Sequence, residues 1–210
     1  MSDYGTMTLD DFRDALASDS PTPGGGSASA IALSQAAALA IMVCELTDGR
    51  ERWMDGWPAS ENTRSVATPL LNLGHSLAMR DALAFDAVMD AFRLPKTNED
   101  EITIRKNAIK EATIQAYSVP METSLMSITL LESLIELARH GNGNAVTDVG
   151  VSSLLASAAC KGGLFNAEIN LQSLDSNEFK EQNNEITELR EKCSNLSRQI
   201  MTIVHDRIHS

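Results

Sequence analysis

Residues 70–96 read LLNLGHSLAMRDALAFDAVMDAFRLPK, and their periodicity decides how the rest of the chain is read. Leu70, Gly74, Leu77, Asp81, Ala84, Val88 and Ala91 advance by fours and threes, so they share one face of a helix. All are small or apolar except Asp81. A carboxylate set in such a stripe loses solvation, which favours its protonated form and raises its pKa. Asp81 is therefore a candidate for moving a proton, with Phe85 one turn later lying alongside it. The other reading is a structural aspartate satisfied by a backbone N–H or an arginine.

The composition agrees with helices packed on helices. Of 210 residues, 43% are hydrophobic, 22% charged and only 4% aromatic, so helix formers are plentiful and strand formers sparse. The length suits one domain, residues 1–210, with a substantial core. A net charge of −12 leaves no electrostatic reason to seek nucleic acid or an anionic membrane. Cys44, Cys160 and Cys193 form no CxxC and no metal spacing, which reads as reduced thiols in a cytoplasmic protein. No basic segment precedes an apolar one at the N-terminus, so no secretory signal is expected. The uncharged run from Ser27 to Cys44 carries Ser29, Ser34 and Gln35 and reads as a buried core helix.

Outward from the central stretch, residues up to Met7 are expected to be loose. Thr8 then caps a short helix ending near Ala17, with Leu9, Phe12 and Leu16 as its apolar face. In Ser20-Pro-Thr-Pro-Gly-Gly-Gly-Ser27 the prolines exclude helix, and the glycines open an alanine-rich helix to about Thr47, the central helix of the bundle. That loop is either an anion or ligand cradle at a helix N-terminus or a tight entry into a buried helix. Trp53 and Trp57 sit in a polar loop over residues 48–58, as anchors or as a cover. The Asp81 helix runs from about Ala59 to Phe92, bent or interrupted at Pro69, and Pro95 ends it. Two further helices cover Ile102 to Tyr117 and Met121 to Arg139, separated by a break at Val119-Pro120. Residues 141–148, GNGNAVTD, turn into a helix that closes at Lys161-Gly162-Gly163. Residues 164–171 are undecided between extended chain and helix. A last helix starts at Asp175-Ser176; Ile186, Leu189, Cys193, Leu196, Ile200 and Ile203 form a seam that packs on the bundle or on a second copy. His205 and His209 are spaced like metal ligands, but no third ligand accompanies them, and no metal is expected.

PTPGGGSASA (21–30), DALAF (81–85), LPK (94–96), VP (119–120), GNGNAVTD (141–148) and FNAEINL (165–171) stand in one order along the chain. In these segments it resembles the formimidoyltetrahydrofolate cyclodeaminase / methenyltetrahydrofolate cyclohydrolase family. The resemblance spans Leu9 to the last helix and implies an all-α homodimer acting on a folate substrate, without a metal or cofactor. It places the family's catalytic aspartate at Asp81 and suggests Lys96 as a partner, either tuning Asp81 or meeting the substrate's glutamate tail. It implies substrate contacts at Pro23, Gly24, Gly25, Gly26, Phe85, Asn142, Asn144, Asp148, Asn166 and Asn170. The formiminotransferase half of the bifunctional relatives is not expected here, since these 210 residues show no counterpart of it. Between the two reactions, the 81–96 stretch leans toward the cyclohydrolase. A reading of another class is a non-catalytic helical protein that binds partners through its C-terminal heptads.

Overall fold

The computed structural model describes residues 3–174 and 178–209, and its regular elements there are all helical. Six α-helices follow in order: α1 Leu9–Leu16, α2 Gly25–Thr47, α3 Trp57–Arg93, α4 Glu99–His140, α5 Val146–Gln172 and α6 Lys180–Ile208. Thr8 caps α1 as its side chain accepts from Asp11 N–H. Of that helix's apolar face only Phe12 packs on the core, while Leu9 and Leu16 stay exposed. The start expected at Asp175-Ser176 falls outside the described residues.

Helix α2 is the most apolar, long enough by length and composition to cross a membrane, with 56% of its most hydrophobic window buried inside the protein. It packs against α3 on one side and α5 on the other. The α2–α5 pair is antiparallel: Ser152 Oγ donates to Ala36 O at 2.7 Å, and Asn166 lies beside Gly25. Small side chains bring the axes close, which is why alanine and serine dominate α2 and α5 presents serine and glycine to it.

Three expected interruptions are absent, two of them for a reason in the packing. α3 continues through Pro69 without interruption. α4 continues through Pro120, whose missing N–H strands the Ala116 carbonyl one turn earlier. Asn170 Nδ2 donates to that carbonyl at 2.7 Å, so the neighbouring helix repairs the gap. α5 continues through Gly162 and Gly163, because these glycines are contact points and not a stop. A Cβ on Gly162 would collide with Ser29 Oγ of α2, and one on Gly163 would lie 2.6 Å from Pro120 O of α4. Residues 164–171 are thereby helix, the last turns of α5.

The α6 seam is satisfied by its own chain. Ile186, Cys193 and Ile200 are buried and Leu189, Leu196 and Ile203 partly so, against α4 and α5. Arg207 near its end donates to Ala138 O and Gly141 O, taking up carbonyls left over at the end of α4. The tryptophans are anchors at that same end: Trp57 Nε1 donates to Thr47 O, and Arg207 stands over the Trp53 ring. The N-terminus is tied down as far as Asp3. Tyr4 is buried, its N–H reaches Met79 Sδ at 3.4 Å, and its ring meets Phe12 edge-on at 5.9 Å.

Candidate active site

Gly24 caps α2 but has no side chain to satisfy the first N–H groups of the helix. Asp81 supplies the missing acceptor from α3. Its Oδ2 receives Ser27 Oγ–H at 3.1 Å, and the Ser27 backbone N–H also points at the carboxylate. Ser27 is fully buried, and its hydroxyl also lies 3.1 Å from Ala78 O. The carboxylate presses so close to α2 that only glycine fits opposite: a Cβ on Gly26 would fall within 2.6 Å of all three carboxylate atoms. Burial pushes the Asp81 carboxyl above the ordinary aspartate range, opposed by the two Ser27 bonds. The structural and chemical readings of this aspartate thus describe one arrangement. It caps a helix, and it is also a half-dry acid held in place.

Beside it opens a cavity of about 350 Å³ where α2, α3, α4 and α5 meet. Phe85, Val88, Ile169 and Pro21 give it apolar walls; Asp81, Thr22, Asn166 and Asn170 are its polar side chains. Asp81 is the one charged residue in the lining. A larger groove, about 750 Å³, runs between α3 and α4 past Ala87, Ala108 and Ala112; its charged residues are Asp90 and Glu111. Asp81 and the helix N-terminus it faces lie at the smaller cavity.

Of the residues singled out in the sequence, Asp81, Phe85, Gly24, Gly25, Gly26, Asn166 and Asn170 line this cavity. Pro23 is buried behind the wall, and Pro21 and Thr22 line it instead. Lys96 does not line this cavity: it is exposed beyond the end of α3, whose last residue, Arg93, is about 18 Å along the helix from Asp81 at 1.5 Å per residue. Asn142, Asn144 and Asp148 do not line this cavity either. Asn142 N–H donates to Thr47 Oγ1 at 3.0 Å, so this turn stands at the far end of α2, about 33 Å from Gly25 at helical rise. Asn142 is occupied there, donating to Leu46 O at 2.6 Å and accepting from Asn144 N–H at 2.9 Å. Asn144 is exposed and Asp148 half-buried in the first turn of α5.

Sequence reasoning passed over Ser27, although a hydroxyl in the first turn of a buried alanine helix asks for a partner. Ala116 carries no sequence signal, and Ile169 was passed over inside FNAEINL, since only tertiary packing brings α4 and the last turns of α5 to this place. Among the described residues no cluster of histidine, cysteine or carboxylate could hold a metal. His205 and His209 stack at 6.3 Å, and the three cysteines are buried and free.

The sequence profile of the formiminotransferase-cyclodeaminase family matches residues 8–197. A methenyltetrahydrofolate cyclohydrolase of Methylorubrum extorquens is 32% identical over 206 residues, covering 98% of this chain and 99% of that protein. The formimidoyltransferase-cyclodeaminase of Gallus gallus is also 32% identical over 206 residues, but this chain spans only 38% of its length. Among solved structures, the formiminotetrahydrofolate cyclodeaminase of Thermotoga maritima superposes with a TM-score of 0.85 at 26% identity. That match covers 97% of this chain and 98% of the other.

Proposed function

This chain belongs to the formiminotransferase-cyclodeaminase family, and from that premise we propose that it is a one-carbon folate enzyme hydrolysing 5,10-methenyltetrahydrofolate to 10-formyltetrahydrofolate. The observation that carries the proposal is the buried carboxyl of Asp81, fixed by Ser27 at the edge of a cavity with apolar walls. Water adds to the methenyl carbon between N5 and N10 and gives its proton to Asp81. The C–N5 bond then breaks, N5 takes a proton back from Asp81, and the hydroxyl proton is released as the formyl group forms. A positioned acid–base group contributes about 10²- to 10⁴-fold to such a step. The carboxylate also favours the cationic methenyl carbon before attack. No step in this chemistry calls for a metal or an organic cofactor.

The end-to-end match with the Methylorubrum protein favours the cyclohydrolase. The fold match with the Thermotoga protein favours a second reading. In that reaction N10 attacks a formimino carbon on N5 and ammonia leaves. Both pass through a tetrahedral carbon that asks the same of Asp81. The deciding assay offers each substrate to the purified protein and follows the methenyl absorbance. Loss with the first marks the cyclohydrolase and gain with the second the cyclodeaminase, while no change with either leaves a non-catalytic helical protein. Asp81→Asn should keep the fold and lose turnover about 10²-fold or more; full turnover in a folded variant would refute the role.

We also infer a homodimer. Val151, Leu154, Phe165 and Ile169 form an exposed apolar stripe along α5, flanked by Met42 of α2. Such a stripe is a candidate contact face, and sedimentation at several concentrations tests whether two chains associate.

A further inference from the structure

Two polar side chains in the cavity are locked in one orientation, and each leaves its amide oxygen free. Asn166 Nδ2 donates to Gly162 O at 2.8 Å, and Asn170 Nδ2 donates to Ala116 O at 2.7 Å, the carbonyl stranded by Pro120. Turning either amide over would set oxygen against oxygen, so each Oδ1 is the atom left over. Among the described residues neither Oδ1 accepts a hydrogen bond, and both residues line the cavity with Asp81. Each asparagine therefore brings an unused acceptor, Oδ1, alongside the second hydrogen of its Nδ2.

The same lining tells against an anionic group. It contains no cation, and the N-terminus of α2, where a carboxylate would otherwise dock, is already occupied by Asp81. A second carboxylate there would meet like charge in a half-dry site. The volume, about 350 Å³, is near the lower end for ligand pockets, roughly 300–1,000 Å³, and suits a bicyclic ring better than a whole folate.

Building on the folate reading above, we infer that the cavity takes the N–H-bearing edge of the reduced pterin, with Asn166 Oδ1 and Asn170 Oδ1 as its acceptors, and leaves the glutamate tail outside. The pyrimidine ring of a pterin presents a ring N–H and an exocyclic amino group on one edge, donors that need acceptors when water is excluded. With the pterin seated there, the reacting carbon stays at the Asp81 side and the aminobenzoyl arm leaves past Phe85 and Pro21.

The test uses the unaltered protein first. Methenyltetrahydrofolate turnover is measured with 6-methyltetrahydropterin or with 4-aminobenzoylglutamate as competitor. Competition by the pterin alone is expected. Competition by the tail fragment alone, by both equally, or by neither overturns the inference. A protein that turns over neither folate substrate refutes the folate reading itself, which is a separate outcome. Asn166→Leu and Asn170→Leu should each raise KM about ten- to hundred-fold, the cost of leaving a buried donor unpaired. The factor should be the same for mono- and polyglutamylated substrate. A rise confined to the polyglutamylated form would place these residues on the tail and refute the assignment.

Discussion

Adding a single methyl group at Gly26 tests the site at its tightest contact. A Cβ there would lie within 2.6 Å of every atom of the Asp81 carboxylate, whereas one on Gly25 would meet nothing nearer than Asn166 Nδ2 at 3.6 Å. Both residues stand in the first turn of α2, where alanine in place of glycine is worth about 0.5–1 kcal/mol in helix preference. Gly25→Ala should gain up to that much. Gly26→Ala must push the carboxylate away from Ser27, forfeiting hydrogen bonds to a charged group worth about 1.5–3 kcal/mol. Its net effect is a loss of about 0.5–2.5 kcal/mol, which in a chain of this length lowers Tm by about 1–10 °C at 2–4 °C per kcal/mol. Turnover should fall with it, toward the 10²-fold expected when an acid–base group is misplaced. Thermal unfolding of the two variants side by side, together with the methenyl absorbance assay, checks both effects. If Gly26→Ala is as stable as Gly25→Ala and fully active, the carboxylate does not sit against α2 and the argument fails.

Because burial holds the Asp81 carboxyl above its unfolded value, the folded state binds the extra proton. Stability from this group is then fullest at low pH and declines as pH rises from about 4 through the folded pKa. The Tm of the native protein relative to Asp81→Asn should drop across that window, and a flat difference would contradict the burial. Ser27→Ala removes the hydroxyl bond that opposes the upward shift and leaves the backbone one, so the acid limb of the pH–rate profile should move to higher pH. Pro120→Ala restores an N–H to the Ala116 carbonyl and releases Asn170; KM should rise while Tm does not fall, a combination that ordinary loss of packing would not give. Asn142→Ala removes two hydrogen bonds of a nearly buried side chain, at about 1–3 kcal/mol. Its melting temperature should fall while kcat/KM stays unchanged, because the residue lies at the far end of α2.

Helical class, the single stripe that carries Asp81, and the Gly-rich entrance to α2 were all legible in the chain. Each rests on local chemistry: the spacing of apolar residues, the preferences of proline and glycine, and the cost of an acid in an apolar face. Where helices end was less legible. Pro120 and Gly162-Gly163 are stop signals only while a helix is considered alone; here Asn170 repairs one and close packing against Ser29 and Ser124 uses the other. The motif 141–148 was legible as a pattern but not as a place, since nothing local says that α2 separates it from Asp81. Residue type determined which groups could do chemistry in this protein. Tertiary packing alone decided which of them meet, because a helix fixes distances along itself, while distances across a bundle depend on contacts scattered over the whole sequence.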